Sequence, residues 1–264
     1  MFTDVRRCGI RILGTVIAVA ALAASAPTGV DAQRHGGHVH GEDRHEHEDD
    51  YYDDYRRQRW EVGGGFSVMS PRGAFSDFVG DGYGFNVNAT VGLEPTNAIG
   101  MRFEAGYINY GSERFGVPVF PQTGRIVADL TTRNNIGYAG IGPQFQIPYG
   151  PIRPYVNGFV GIGYFFTESS IGGGYPYDFG GFGSTLNFDD ASLAYGVGGG
   201  ASFRIGNGRA PIYLKLDAQY RRHGETEYLT EGDIVDDGLG GATIYPVLSD
   251  VDFLLFNVGV SVGL

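Results

Sequence analysis

The sequence is poor in cysteine, in charge and in long helical patterns, and each shortage excludes a class of protein. One cysteine, Cys8, stands in 264 residues, so a disulfide framework within the chain is excluded. Charged residues make up 19% and no long stretch is rich in Ala, Leu, Glu and Lys, which disfavours a helical protein. The net charge of −11 comes without a basic stripe, so we expect no nucleic-acid partner.

Glycine and aromatic residues are abundant instead. The chain has 45 Gly, 17 Tyr and 18 Phe, a composition typical of many strands joined by tight turns. The length fits one large β domain.

The first 32 residues are predicted to be a secretory signal peptide. Arg6, Arg7 and Arg11 precede the apolar run Ile12–Ala26, and small residues before a cut after Ala32 complete the pattern. The alternative is an N-terminal membrane anchor. As a helix the run would span only about 22 Å, whereas a hydrocarbon core is ~30 Å thick.

Residues 33–59 form a polar segment with five of the six histidines and many carboxylates. We predict a disordered periplasmic tail, because almost nothing in it can build a core. The alternatives are a merely solvated tail and a weak site for divalent transition metals, with neutral imidazoles as ligands. The candidate ligands are His35, His38, His40, His45 and His47.

From Trp60 onward, bulky apolar residues alternate with small or polar ones, the period of a two-sided strand. The clearest case is Ile212–Arg221, and the same pattern continues to the last residue in Phe256–Leu264. The apolar parity is interrupted near residues 137–140, where we predict a β-bulge. Eight strands result, which include Trp60–Val68, Phe85–Leu93, Ile99–Tyr107, Leu130–Ile147, Tyr155–Phe166 and Leu193–Ile205.

Long and short connections alternate between these strands. The long ones are predicted to be loops at Ser70–Asp81, Gly111–Asp129, Glu168–Asp189 and His223–Ser249, and turns of about four residues separate them. This rhythm indicates an antiparallel meander with one elaborated rim and one trimmed rim.

The alternation alone fits two kinds of barrel, a soluble one with an apolar interior and a transmembrane one with an apolar exterior. Small residues and charges of both signs share the non-apolar parity, which suits a narrow lumen. Aromatic residues gather near strand ends, as in the interfacial girdles of membrane barrels; these are Trp60, Tyr107, Tyr110, Tyr138, Tyr149, Tyr155, Phe203, Tyr213, Tyr220 and Phe256. Together with the signal peptide, they predict an all-β, eight-stranded antiparallel up-and-down transmembrane β-barrel.

From Trp60 to Leu264 the sequence resembles the small eight-stranded outer-membrane barrels of the OmpA/OmpX type, in the broad porin-like family of Gram-negative bacteria. The resemblance implies a place in the cell outer membrane, with periplasmic termini and extracellular long loops. It implies as partners outer-membrane lipid, lipopolysaccharide and the barrel assembly machinery, and we expect a monomer. Chains of that family usually end in Phe or Trp, whereas this chain ends in Leu264.

The charges on the inward parity are the candidate site of the barrel. We predict a paired network that fills the lumen, formed by Arg102, Glu104, Arg204, Lys215, Asp217 and Arg221. The expected function is a structural or surface-interaction role, and the alternative is a narrow passive pore for small solutes.

Two further candidate sites lie at or near the last loop, one catalytic and one for divalent cations. A lipid A-modifying enzyme would need a nucleophile near His223 and Glu225, and the sequence places none, so we expect neither catalytic residues nor a cofactor. Acidic residues of the last loop, from Glu225 to Asp250, offer a site for divalent cations that bridge lipopolysaccharide phosphates, or else a solvated anionic surface. Because their spacing matches no calcium loop, we expect the solvated surface.

Overall fold

The computed structural model describes residues 59–118, 127–172, 183–206, 210–236 and 242–264. The predicted signal peptide and residues 33–58 of the tail, with all five candidate histidine ligands, lie outside the described residues. Those predictions remain predictions.

Eight long strands close into a barrel in which every strand pairs with its two neighbours in antiparallel fashion. The barrel strands are β1 (Trp60–Arg72), β2 (Gly82–Gly92), β3 (Ile99–Pro118), β4 (Val127–Gln146), β5 (Ile152–Gly172), β6 (Gly183–Gly206), β7 (Ile212–Tyr228) and β10 (Val247–Gly263), and two short strands, β8 (Ile234–Asp236) and β9 (Ala242–Ile244), lie between the last two in the chain. Each barrel strand turns back beside the one before it and the last pairs with the first, so the order around the ring is β1-β10-β7-β6-β5-β4-β3-β2. The predicted up-and-down barrel is confirmed. The described ranges contain no helix with the length and hydropathy needed to cross a membrane.

The last strand closes the ring against the first. β1 and β10 are paired from Glu61 opposite Gly263 to Arg72 opposite Asp252. At the end of this seam the Trp60 amide donates to the Leu264 carbonyl at 3.3 Å, and the Leu264 amide donates to the Trp60 carbonyl at 2.7 Å. The final residue is therefore part of the wall, which leaves the sheet without a free edge at this level.

The predicted facing of the last strand is confirmed by exposure. Phe256, Val258 and Val260 are 44%, 53% and 52% exposed, whereas Asn257 and Ser261 between them are buried. Period-two geometry sends these two sets to opposite faces of the wall. The apolar face is the outside of the barrel and the polar face lines its lumen.

The middle strands are longer than predicted. β3 to β6 have 20 to 24 residues each, against 13 and 11 in β1 and β2. Much of what was expected to be loop within Gly111–Asp129 and Glu168–Asp189 is therefore strand. β8 (Ile234–Asp236) and β9 (Ala242–Ile244) add a short hairpin within the expected last loop.

These long strands form a four-stranded sheet that continues past the ends of their neighbours. β3 pairs with β2 only up to Asn109, while its pairing with β4 continues to Pro118. Likewise β6 pairs with β7 only from Ala194 onward, while its pairing with β5 begins at Gly183. We call residues 111–118, 127–134, 167–172 and 183–193 the extended sheet.

The predicted bulge near residues 137–140 is wrong. The β4 register runs without a shift from Asn135 to Phe145 against β3, and the irregularity falls in β3 between Asn109 and Gly111. Parity seemed to slip because Ile136 and Tyr138 are apolar yet point inward and are buried.

Part of the predicted aromatic girdle is also wrong. Tyr110, Tyr138, Tyr155 and Tyr213 are buried inside the barrel, because they lie on the inward parity. The exposed outer aromatics include Trp60, Phe66, Tyr83, Phe85, Phe103, Phe145, Tyr149, Tyr195, Tyr220 and Phe256.

Candidate functional site

The lumen is filled by two stacked layers of side chains. A polar and ionic layer, the charge layer, lies toward the three short turns, and an apolar layer lies toward the long loops. A small eight-stranded barrel has an interior just wide enough for side chains to meet across it.

The centre of the charge layer is an ion-pair cluster between opposite walls. Arg102 of β3 contacts Glu104 at 2.8 Å and Asp217 of β7 at 3.2 Å, and Arg221 of β7 pairs with the same Glu104. All four side chains are at most 3% exposed. Because β3 and β7 lie on opposite sides of the ring, these pairs cross the lumen.

A second cluster lies nearer the short turns and centres on Glu61. The Lys215 ammonium lies 3.0 Å from its carboxylate, the Arg153 guanidinium lies 3.9 Å away, and the Ser261 hydroxyl donates to it at 2.9 Å. Glu61 and Arg153 were not among the predicted site residues. Glu61 could have been identified because it lies on the inward parity of β1. Arg153 is the second residue of β5, where too few strand residues precede it to show an alternation.

Neutral groups complete the charge layer. Asn257 accepts from the Ser67 hydroxyl at 2.6 Å and from Asn86 at 2.8 Å, and it donates to Asp217 at 2.6 Å. Tyr155 also donates to Asp217, at 2.9 Å. Buried ionic groups are tolerable only when such partners satisfy them.

Aromatic rings enclose the cation at the top of this layer. The Arg221 guanidinium lies 4.1 Å from the centre of the Tyr138 ring and 4.0 Å from that of Phe159. This geometry allows cation–π attraction to supplement the ion pair.

The structure brings together five of the six predicted lumen charges. Arg204 lies opposite Tyr213 near the short-turn end of β6. The five within the two clusters are Arg102, Glu104, Lys215, Asp217 and Arg221.

The apolar layer was not predicted. Its buried side chains come from inward positions of several strands and include Met69, Ile108, Ile136, Phe165, Phe253 and Leu255. The signal was present where both parities are apolar, as in Phe253–Phe256, because a strand whose inner and outer faces are both apolar loses its alternation.

The first long loop folds into the barrel mouth above this layer. After β1 a 3₁₀ turn, Gly73–Asp77, places Phe75 fully buried among the core side chains. The Phe75 ring meets Tyr228 edge-on at 5.1 Å and Tyr110 at 6.0 Å between ring centres. Gly73, with φ +58°, allows the chain to turn inward here. We call Gly73–Asp77 the plug.

His223 is buried in the apolar layer rather than at an open rim. Its ring stacks on Phe253 at 5.3 Å and meets Phe165 edge-on at 5.4 Å, and Nδ1 lies 3.4 Å from the Ser192 hydroxyl. Gly163 lies against the ring, and a side chain there would overlap it. Glu225 is exposed. A serine and a histidine thus approach each other in a closed core, and the expected absence of enzyme activity stays a prediction.

The acidic residues of the last loop are partly engaged. Asp233 accepts from the Thr230 amide and hydroxyl at 2.7 and 2.8 Å, and Asp250 lies 3.3 Å from Arg222. Within the described part of the chain, no group of three or more His, Cys, Asp or Glu is arranged to hold a metal ion.

Comparison with known proteins gives structural matches only. No family model and no curated protein matches the sequence. Ail, the attachment invasion locus protein of Yersinia pestis, in complex with the heparin analogue sucrose octasulfate, is 17% identical with a TM-score of 0.40, over 77% of this chain and 96% of that chain. Neisserial surface protein A is 15% identical with a TM-score of 0.36, over 78% and 97%. The outer membrane protein AlkL in lipid bilayers is 17% identical with a TM-score of 0.38, over 89% and 98%.

Proposed function

We propose that this chain is an integral outer-membrane barrel with a sealed lumen and a structural or surface-interaction role. The observation that carries the proposal is the inversion of an ordinary protein: apolar side chains cover the outside, while ion pairs occupy the centre. Lipid on the outer wall makes that arrangement favourable, and it requires every backbone group in the wall to be paired, as a closed barrel ensures.

The orientation follows from the two rims. Both described ends of the chain, near Trp60 and Leu264, lie at the rim with the short turns. Outer-membrane barrels keep short turns in the periplasm and longer loops outside. We therefore assign the termini to the periplasm and the extended sheet to the extracellular side.

Two layers of packing favour a sealed barrel over a pore. A solute would have to part the Arg102–Glu104–Arg221 cluster and then displace the apolar layer with its plug. The pore alternative is supported by a small polar cavity of about 30 Å³ at the short-turn rim, lined in part by Glu61, Gln144 and Arg153. That volume holds about one water molecule, not a path.

Conductance in planar lipid bilayers separates these alternatives. We expect the purified barrel to give no steady current, and Lys215→Ala to leave the record silent because the other cluster and the apolar layer remain. A steady current that changes with Lys215→Ala would establish the pore and refute the sealed barrel.

The extended sheet is the element best suited to contacts outside the membrane. The β3 and β6 edges of this sheet continue past the ends of their pairing with β2 and β7. The backbone of an unpaired edge strand can pair with a strand of another chain. A variant in which short turns replace residues 112–132 and 170–185 should assemble and melt like the full barrel. Failure to assemble would show that the sheet serves the fold instead.

Cell fractionation with surface proteolysis tests the location. We expect the protein in outer membranes, with protease cleavage within the long connection Glu168–Asp189 or His223–Ser249. A soluble periplasmic product would reject the proposal.

A further inference from the structure

A cleft of about 480 Å³ lies at the long-loop rim, outside the sealed lumen. It is bounded by the chain that follows the plug, by the β3 bulge at Asn109–Gly111 and by the turn at Thr230–Glu231. The cleft exists because β3 continues upward where β2 ends, so the wall is open on one side. Its size falls in the range of small-molecule sites.

One wall of this cleft is aromatic and continues onto the lipid-facing surface. Phe78 and Tyr83 are 52% and 56% exposed, so two aromatic rings present apolar surface to the cleft. The Tyr83 ring stacks on Phe66 of the outer wall at 6.3 Å between centres. Tyr110 completes the lining, with its hydroxyl donating to the Leu229 carbonyl at 3.2 Å.

The charge of the cleft has one sign. Asp81 and Glu231 both line it, and its lining residues, all within the described part of the chain, include neither Lys nor Arg. Glu113 lies close by: burial and the carboxylates of Glu231 and Asp233 raise the pKa of Glu113 above its ordinary value. Crowded carboxylates of this kind are stabilised by a cation.

We propose that this cleft binds an amphipathic organic cation, with the ammonium between Asp81, Glu231 and the Tyr83 ring, and the apolar part on Phe78 and the lipid boundary. Aromatic faces attract quaternary ammonium groups through the ring quadrupole, and carboxylates add Coulomb attraction. An anion would meet repulsion from both acids, and a neutral apolar ligand would gain the ring contacts alone. The cleft borders the extended sheet at Gly111 and Asn134, but none of the residues proposed to hold the cation belongs to that sheet, so the site can be tested whatever the sheet contacts.

The probe is benzyltrimethylammonium, compared with neopentylbenzene, which has the same shape but no charge. Binding is followed by NMR titration of the full barrel in nanodiscs of zwitterionic lipid. We expect the cation to bind at least about tenfold more tightly than its neutral isostere, a ratio within reach of cation–π and carboxylate contacts. Equal affinity for the two probes would overturn the proposal.

Variants locate the site. The double variant Asp81→Asn/Glu231→Gln should weaken the cation about tenfold and leave neopentylbenzene unchanged, since only the charge is removed. Tyr83→Leu should weaken the cation while preserving apolar contact. Glu225→Gln, an exposed acid outside the cleft lining, is the matched control and should change neither affinity. A double variant that melts normally and binds the cation as before would refute the assignment.

Discussion

The two halves of the lumen solve the same packing problem in opposite ways. In the charge layer, ions from opposite walls satisfy one another, so each side chain depends on a partner of fixed position. In the apolar layer, contacts are non-directional, and the plug adds Phe75 from outside the wall. The charge layer should therefore be sensitive to the loss of a single atom group, whereas the apolar layer should tolerate changes that keep volume.

The largest effect is expected from breaking the central cluster. Glu104→Gln leaves Arg102 paired with Asp217 and takes the carboxylate away from Arg221, which keeps its hydrogen bonds to Gln219. Removal of one partner from a buried ion pair costs about 3–5 kcal/mol. Equilibrium unfolding by denaturant in lipid vesicles measures it. The matched control is Arg114→Gln, which breaks the exposed Arg114–Asp129 pair of 2.7 Å and should cost at most about 1 kcal/mol. Similar losses of unfolding free energy in the two variants would show that a buried ion pair of the charge layer is no more sensitive than an exposed pair.

The next effect tests the inside against the outside of the same strand. Val260→Arg places a charge on the exposed outer face of β10, which the proposed membrane location puts in lipid, and should cost about 2–4 kcal/mol near the bilayer midplane. Ser261→Thr keeps the hydroxyl that donates to Glu61 and should be tolerated. The same unfolding assay applies, and equal stability of the two variants would contradict the assigned facing.

The sequence predicts a strand of this barrel well only where the residues on its two faces differ in polarity. The end of the chain, Phe256–Leu264, was predictable because its two faces differ: the outer one is apolar and exposed, and the inner one is small or polar and faces the lumen. Ile136, Tyr138 and Phe253 were not placed in the lumen because they are apolar on the inward parity, and alternation identifies the inner face only where its residues are small or polar. The length of β3 to β6 was missed for a related reason, since their ends beyond the neighbouring strands lack the regular alternation that marks a strand.

The partners of the charge layer show a similar limit. The inward parity identified Arg102, Glu104 and Asp217, yet nothing in the spacing says which strands face each other across the ring. The pairing of Glu61 with Lys215 spans 154 positions of the chain and follows only from closure. Phe75 was assigned to a loop, because an inward-folding plug depends on the space that the finished barrel leaves.

A smaller effect is expected at the plug, which is held by contacts but is not part of the barrel wall. Phe75→Ala removes its contacts with Tyr110 and Tyr228, so the plug should open while the strand pairing persists. We expect protease cleavage at residues 73–81 to rise by at least about tenfold, equivalent to about 1.4 kcal/mol of local opening. Phe75→Leu, which keeps most of the volume, serves as the control and should change cleavage much less. Coupled loss of the whole barrel would show instead that the plug and wall unfold together.

The smallest effect concerns the short turn between β2 and β3, at the opposite rim from the plug. Glu94 accepts from the Thr96 hydroxyl, from the Thr96 amide at 3.1 Å and from the Ala98 amide at 2.5 Å, and these hydrogen bonds lower its pKa below the ordinary value of 4.5. A carboxyl group with a lowered pKa stabilises the folded turn above its ordinary pKa, and this contribution is lost as the pH falls through the folded value. Amide hydrogen exchange at Ala98, corrected for intrinsic rates, should therefore show less protection in acid than at neutral pH. Glu94→Gln should remove that pH dependence, and a wild-type protection that stays constant from neutral to acid pH would refute the role of the carboxylate.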